Sequence, residues 1–165
     1  MTGRPGFHLA ELNVGRLLAP TDDPRVAEFM AALDRINGIG KRSPGFVWMM
    51  EGSGEPGTGN TDAKIGGDPR YVSNLTVWES VETLEAFVWN TVHRQFYKRR
   101  EAWFEVLGQM HFVLWWVPHG HRPALDEGLA RLTLLREQGP SEMAFGWDWL
   151  KEARLWREKS CTAAV

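Results

Sequence analysis

Two adjacent tryptophans, Trp115 and Trp116, lie inside the apolar run HFVLWWVP and constrain the fold more than any other feature of this sequence. The run has the composition of a β-strand, and neighbouring residues on a strand point to opposite faces of the sheet. One strand therefore places a large aromatic side chain on each face. Because burying a tryptophan is worth a few kcal/mol, at roughly 25 cal/mol per Å² of apolar surface, we expect both faces to be covered by other structure.

The rest of the chain supplies the strands and helices of an α+β domain. Strands are predicted at residues 8–14, where polar and apolar residues alternate, and at 46–50, 71–79 and 111–117. The first predicted helix begins at Asp23-Pro24 and ends at Asn37-Gly38 and Gly40. The second begins at Ser80, with Thr83 in a capping-box position, and its helical pattern resumes over 93–107 after a kink near Asn90. The third begins at Pro123, carries a stripe of leucines and ends at Gly139-Pro140.

This order of elements predicts one ferredoxin-like domain, with a β-α-β-β-α-β sheet over residues 7–139 and an extra C-terminal helix. Right-handed crossovers between parallel neighbouring strands would put the first two helices on one sheet face. The aromatic side chains then require a cover on the other face, and we expect a second subunit to supply it, giving a homodimer through the sheet. The tail, residues 140–165, shows no clear packing partner and is expected to be partly frayed.

Composition narrows the function classes. The formal net charge of −2 lacks the basic surplus of a nucleic-acid-binding protein, and Cys161 is the lone cysteine, so neither a disulfide nor a thiolate metal cluster is expected. No apolar run approaches the roughly 20 residues of a membrane helix, and the first residues lack the apolar stretch of a signal peptide. We therefore expect a cytoplasmic protein. The glycine-rich residues 52–69 lack a Gly-Lys-Ser/Thr phosphate motif and are interpreted as a strand connector.

Several longer segments resemble a known family. They are LAELNVGRLLAPTDDPRVAEFMAALDRIN, SPGFVW, NLTVWESVETLEAFV, RREAWF and VLWWVPHGHRP, and the resemblance that they carry runs from about His8 to about Phe145. These segments are similar to the domain-of-unknown-function 3291 family. The resemblance implies a dimeric α+β barrel, in which ferredoxin-like subunits pair through their sheets. The wider fold group includes monooxygenases, haem-degrading enzymes, dehydratases and stress-response proteins, and any function taken from it is analogy.

One predicted helix face carries the first candidate site. Over residues 89–107, the side chains of Trp89, His93, Phe96, Arg100 and Trp103 recur at helical spacing. His93 is the candidate catalytic residue, as a general acid/base or a haem ligand, and Arg100 would hold a carboxylate or phenolate between Trp89 and Trp103. The alternative is structural: His93 is a satisfied buried histidine and Arg100 forms an ion pair, for instance with Glu11.

Polar residues on the two strands expected to be central supply the second candidate site. Glu11 and Asn13 share one face of their strand, and Asn74, Thr76 and Trp78 share a face of another. Buried polar groups need hydrogen-bond partners, so Asn13 and Asn74 either bind substrate or form cross-strand or dimer contacts. A register error of one residue would reverse which face these side chains occupy.

Metal and cofactor signals are weak. His119 and His121 resemble a metal-binding triplet, but no third ligand lies nearby in sequence, so we predict no metal site and interpret the segment as a turn. No cofactor is predicted, with haem at His93 as the one candidate. The chain also lacks a GxSxG motif or a Ser-His-Asp order, which gives no support to nucleophilic hydrolysis.

These observations lead to two function hypotheses. The first is a small-molecule-binding protein, by fold analogy a monooxygenase-like or isomerase/dehydratase-like enzyme acting on an aromatic or hydrophobic substrate. The second is a non-enzymatic dimeric binding or stress-associated protein whose aromatic residues are only core and interface. An open cavity with His93 or Asn74 facing inward favours the first, and a closed dry core favours the second.

Overall fold

The computed structural model describes residues 3–51, 67–90, 95, 98–151 and 153. Four strands form one sheet: β1 (Phe7–Arg16), β2 (Phe46–Met49), β3 (Tyr71–Trp78) and β4 (Phe112–Pro118). Three longer helices with described bounds accompany it, namely α1 (Ala27–Arg42), α2 (Val81–Asn90) and α3 (Leu125–Gln138). The predicted α+β fold with a ferredoxin-like arrangement is confirmed.

The sheet has the order β2-β3-β1-β4, and each neighbouring pair is antiparallel. β1 and β3 are therefore the central strands, as predicted. The prediction of parallel neighbours was wrong, because the strands joined through a helix are not adjacent: β3 separates β1 from β2, and β1 separates β3 from β4. The crossovers still place α1 and α2 on one side of the sheet.

Local signals explain where the helices begin. The Asp23 carboxylate accepts a hydrogen bond from the backbone N–H of Arg25 at 2.9 Å and caps the turn that leads into α1. Ser80 and Thr83 exchange hydrogen bonds at 3.3 and 3.2 Å, so the capping box forms although threonine replaces the usual glutamate.

The predicted end of α1 was wrong. The helix continues through Asn37, Gly38 and Gly40 to Arg42. Gly40 is buried, and a Cβ built there would lie 3.2 Å from the Phe87 ring of α2. This glycine therefore permits a close approach of the two helices, and a side chain at the position would have to displace Phe87.

Helices of the same chain cover both sheet faces. The α1/α2 face carries Leu9, Glu11 and Asn13 of β1, and the α3 face carries Ala10, Leu12 and Val14. Trp115 lies on the α3 face, where its Nε1 donates to Glu127 of α3 at 3.1 Å. The cover that the sequence analysis assigned to a second subunit is thus supplied here by α3.

The helix predicted over residues 89–107 does not extend to residue 107: residues 95 and 98 are helical, and the helix has ended by residue 99. Trp89 lies in α2, Arg100 begins a single 3-10 turn (Arg100–Ala102), and the chain is extended at Phe104. The reason is tertiary: the Leu18 N–H donates to the Trp103 carbonyl at 2.8 Å, and the Glu105 N–H donates to the Arg16 carbonyl at 2.9 Å. These backbone groups pair with the end of β1 and so are not available to a helix.

The tail, for which no packing partner was expected, packs against the sheet through residues 144–151 and 153, and the end that was expected to be frayed lies outside the described residues. Phe145 exchanges backbone hydrogen bonds with Leu114 of β4 at 2.7 and 2.9 Å, and its side chain is fully buried beside Trp116. Trp147 stacks on Phe112 with ring centroids 5.6 Å apart. Within the described ranges, no helix has the length and apolar character needed to cross a bilayer.

Candidate functional site

A cavity of about 520 Å³ lies between the α1/α2 face of the sheet and the structure that covers it. α1 and α2 form part of its wall, and residues 100–107 and 111 close another side. Its walls are rich in aromatic rings, those of Phe29, Phe87, Trp89, Trp103, Phe104, Phe112 and Trp147. This volume is within the range of small-molecule sites, which are typically about 300–1,000 Å³.

Five of the six sequence-predicted site residues line this one cavity. They are Asn13, Asn74, Trp89, Arg100 and Trp103. The helix face that was expected to unite Trp89, Arg100 and Trp103 does not exist, because only Trp89 is in α2. The folded-back segment after α2 brings the other two to the same space. His93, the predicted catalytic residue, and Phe96 lie outside the described residues.

Two cross-strand pairs form the floor of the cavity. Glu11 of β1 lies opposite Thr76 of β3, and Asn13 lies opposite Asn74. The two polar sets, which the sequence placed on two different strands, therefore share one face of the sheet. Residues that are directly opposite in an antiparallel pair have Cβ atoms about 4.5–5.5 Å apart, so the four side chains make a compact polar patch.

Glu11 is the most unusual titratable group in this patch. Its side chain is 7% exposed, and its Oε2 accepts a hydrogen bond from Thr76 Oγ1 at 2.8 Å. Burial raises the pKa of Glu11 to about 8, and the hydrogen bond from Thr76 opposes that change. The predicted alternative of an Arg100–Glu11 ion pair does not occur among the described residues. Glu11 was missed as an acid/base because sequence alone did not reveal that it faces a cavity.

A second hydrogen bond holds Thr76, the partner of Glu11, in position. Trp78 Nε1 donates to Thr76 Oγ1 at 3.0 Å, so the threonine hydroxyl accepts from the indole and donates to the carboxyl group. Trp78 is itself held between Phe46 and Phe87, whose ring centroids lie 5.6 and 5.2 Å from it. The orientation of Glu11 is therefore set by the core.

The two asparagines keep hydrogen-bonding capacity toward the cavity. Asn74 Nδ2 has only long contacts, 3.4 Å to Asn37 Oδ1 and 3.7 Å to Met49 Sδ. The Asn13 side chain is half-buried and forms no hydrogen bond with the described residues. Amide groups of this kind in an apolar pocket orient a ligand by hydrogen bonding.

Glu105, which lines the cavity, belongs to a network of ion pairs. Glu105 accepts from Arg16 at 2.5 Å and from Arg70 at 3.3 Å, and Arg16 also binds Asp68 at 2.7 Å. His111 is exposed to the cavity yet closely surrounded by protein atoms, and this desolvation, with the nearby charges of Arg100 and Arg136, lowers its pKa. His111 is therefore neutral at physiological pH, and Arg100 is the cation that lines the described cavity.

The histidines of the predicted turn do not converge. His121 Nε2 lies 2.7 Å from Glu127, whereas the His119 ring packs on His8 with centroids 4.1 Å apart. In the part of the chain that the structure describes, no three His, Cys, Asp or Glu side chains are grouped to hold a metal ion.

Comparisons with known proteins identify a family. No curated protein matches the chain significantly. A crystal structure of PA3566 from Pseudomonas aeruginosa matches with a TM-score of 0.46 and 14% identity, covering 74% of this chain and 100% of that one. A crystal structure of NE2512, a protein of unknown function from Nitrosomonas europaea, matches with a TM-score of 0.42 and 8% identity, covering 72% and 95%. The profile of the family described as "Domain of unknown function (DUF3291)" matches residues 8–161, and the chain belongs to that family.

Proposed function

We propose that this protein binds a small, largely aromatic or hydrophobic molecule in the cavity above the α1/α2 face. The support is the shape and chemistry of the space: about 520 Å³, aromatic walls, and a polar floor formed by two cross-strand pairs. A flat aromatic ligand would stack against the walls, and the floor amides would fix its orientation.

We further propose that the protein is an enzyme of the isomerase or dehydratase kind. The single observation that carries this proposal is Glu11, a buried carboxyl group that lines the cavity and has a pKa of about 8. A group that titrates near neutral pH exchanges protons readily with a bound molecule. We place this chemistry ahead of a monooxygenase-like reaction, because the described cavity contains a proton-transfer group.

Haem has weaker support. An axial ligand is needed, and His93, the residue predicted for that role, lies outside the described residues. Among the described residues, His111 is the histidine that lines the cavity. The proposed reaction therefore does not involve haem.

The open cavity also bears on the non-enzymatic hypothesis. A closed, dry core would favour a purely structural role for the aromatic residues, whereas the structure has a cavity lined by Asn74. A protein that binds the ligand without converting it remains the alternative, and the turnover of a bound probe separates the two.

Filling the cavity is expected to abolish binding. In Asn13→Trp, the indole would occupy space on the floor, so we expect the affinity for small aromatic probes such as indole, 2-naphthol and phenylpyruvate to fall at least tenfold in calorimetric titration. Thr133→Trp is the matched control, because residue 133 is exposed on α3. Equal affinities of N13W and the parent protein would show that these probes do not bind in this cavity.

We also propose a cytoplasmic homodimer. The dimer follows from the family resemblance, and a supporting feature is half-exposed Trp48, which belongs to the edge strand β2 and lies opposite Val77 on the α3 face. We expect light scattering at micromolar concentration to give twice the chain mass of 18.8 kDa. A monomer mass at that concentration would contradict the dimer. The cytoplasmic location rests on composition alone.

A further inference from the structure

We propose that the cavity catalyses a keto–enol isomerisation of a small aromatic carbonyl compound, with Glu11 moving the proton and Asn13 and Asn74 holding the carbonyl oxygen. This inference rests on the proposed function and deepens it by naming a substrate class and a reaction. It needs no oxidant, reductant or cofactor.

The spacing of the floor residues carries the inference. Glu11 and Asn13 are two residues apart on one face of β1, which corresponds to about 7 Å along the strand. Asn74 lies opposite Asn13, so two amide groups flank the same point. A carbonyl oxygen that accepts hydrogen bonds there would present its neighbouring carbon toward Glu11, because a carbon–hydrogen bond next to a carbonyl is within a few ångströms of that oxygen.

The residues around the floor fit these roles. Thr76 is the hydrogen-bond partner of Glu11 among the described residues, and it engages Oε2, which leaves Oε1 as the oxygen for a substrate. The long contacts of Asn74 and the open amide of Asn13 supply N–H donors for developing negative charge. Aromatic walls then accommodate the rest of the molecule.

The reaction balances as a proton shift. The Glu11 carboxylate takes a proton from the carbon next to the carbonyl group, and the electron pair of that C–H bond forms the carbon–carbon double bond. The carbonyl π electrons move to the oxygen, where the amide N–H groups stabilise the enolate. Protonated Glu11 or solvent then delivers a proton to the oxygen, and the product is the enol. The substrate and the enol have the same atoms and electrons.

Burial, opposed by the Thr76 hydrogen bond, sets the pKa of Glu11 and so the pH dependence. Thr76 of β3 and Asn37 of α1 are neutral, the ionisable residues that line the same cavity are Arg100, Glu101, Glu105 and His111, and α2 carries the buried Glu85. Only the ionised form of Glu11 removes a proton from carbon. With a pKa of about 8, about a tenth of the sites are ionised at pH 7, so the rate is expected to rise with pH until about pH 8.

The test uses phenylpyruvate, an aromatic carbonyl compound with an enolisable CH₂ group. Proton NMR in D₂O follows the exchange of that CH₂ group against a buffer blank. We expect the parent protein to accelerate exchange and E11Q to reduce the acceleration by 10²-fold or more, as loss of a general base does. E137Q, which changes an exposed carboxylate on α3, should match the parent.

A second variant keeps the proposal testable if E11Q folds poorly. Thr76→Val removes the hydrogen bond that lowers the pKa of Glu11, so the midpoint of the pH–rate profile should move upward, and Thr76→Ser should restore it. A purely structural role of Thr76 would change the rate without moving the midpoint.

The outcomes separate this inference from the proposed function. If phenylpyruvate binds to the parent but not to N13W, and no exchange above the blank occurs, the isomerisation is overturned and ligand binding stands. Exchange that is unaffected by E11Q also overturns the role of Glu11. If none of the aromatic probes binds in an N13W-sensitive way, both proposals are overturned.

Discussion

Replacing Trp115 with alanine is expected to lower the free energy of unfolding by about 3–5 kcal/mol, the usual range for a large aromatic residue removed from a core. Trp115 is 1% exposed on the α3 face, where it packs in one cluster with Leu12 and Leu132. Gly128 lets α3 approach closely, since a Cβ at that position would lie only 3.0 Å from Leu12 Cδ2, beside the indole ring. The substitution would therefore leave a cavity that the surrounding helix and strands cannot fully close.

Urea unfolding of three variants checks this prediction. Trp115→Phe keeps an aromatic ring but loses the hydrogen bond to Glu127, and its smaller loss of packing and one hydrogen bond should total about 1–2 kcal/mol. Trp149→Ala is the control, because Trp149 is 46% exposed, and a surface substitution should change stability by no more than about 0.5 kcal/mol. If W115A behaved like W149A, α3 would not be the cover of this tryptophan.

Protein concentration adds a second readout. Cover by α3 is intramolecular, so the destabilisation of W115A should not depend on protein concentration. Cover by a partner subunit, the original expectation, would instead make the destabilisation by W115A larger at concentrations where the parent is a dimer than at concentrations where it is a monomer.

The fold could be predicted because its signals are local. Alternation in β1, the capping groups Asp23 and Ser80, and the adjacent tryptophans are each readable within a few residues, and together they restrict the topology. The two wrong helix ends depend on tertiary contacts. Gly40 continues α1 because it faces Phe87, and the chain near Trp103 is extended because its backbone pairs with the end of β1.

The candidate site, like the fold, could be predicted only where its signals are local in the sequence. Residue type and periodicity were enough to select Asn13, Asn74 and the residues around Trp103 as cavity candidates. The role of Glu11 was not readable, because it depends on the register between β1 and β3, which sets Glu11 opposite Thr76, and on a cavity that only the packed helices create. The signal available in the sequence was a polar residue, Glu11, on a strand face expected to be buried, with a second polar residue, Asn13, on the same face.

The second large effect is a pH dependence of stability that belongs to Glu11. Its pKa is about 8 in the folded protein and 4.5 as the ordinary value that applies when the chain is unfolded. Below about pH 4.5 both states hold the proton. Between these values the unfolded chain releases the proton while the folded protein retains it, so stability falls as pH rises and levels off above about pH 8. At about 1.36 kcal/mol per pH unit over 4.5 to about 8, the total loss is on the order of 5 kcal/mol.

Glu11→Gln should remove this dependence, because the amide is nearly isosteric with the protonated carboxyl group and has no proton to lose. We expect E11Q to match the parent within about 1 kcal/mol near pH 5 and to exceed its stability by on the order of 3 kcal/mol at pH 8. Urea unfolding at pH 5, 6, 7 and 8 measures the difference. His8 and His111, whose pKa values are lowered by burial, contribute equally to both proteins and cancel.

Parallel stability curves for the parent and E11Q would mean that Glu11 titrates like an exposed carboxyl group, and the acid/base proposal would lose its main support. The expected divergence has a consequence for function. Near neutral pH the Glu11 carboxyl group destabilises the folded state, whereas a glutamine at the same position would not. Such a loss of stability is typical of a residue that is kept for its chemistry. The same substitution should therefore yield a protein that is more stable at pH 8 and inactive toward phenylpyruvate, because burial of one ionisable group in the cavity is the cause of both effects.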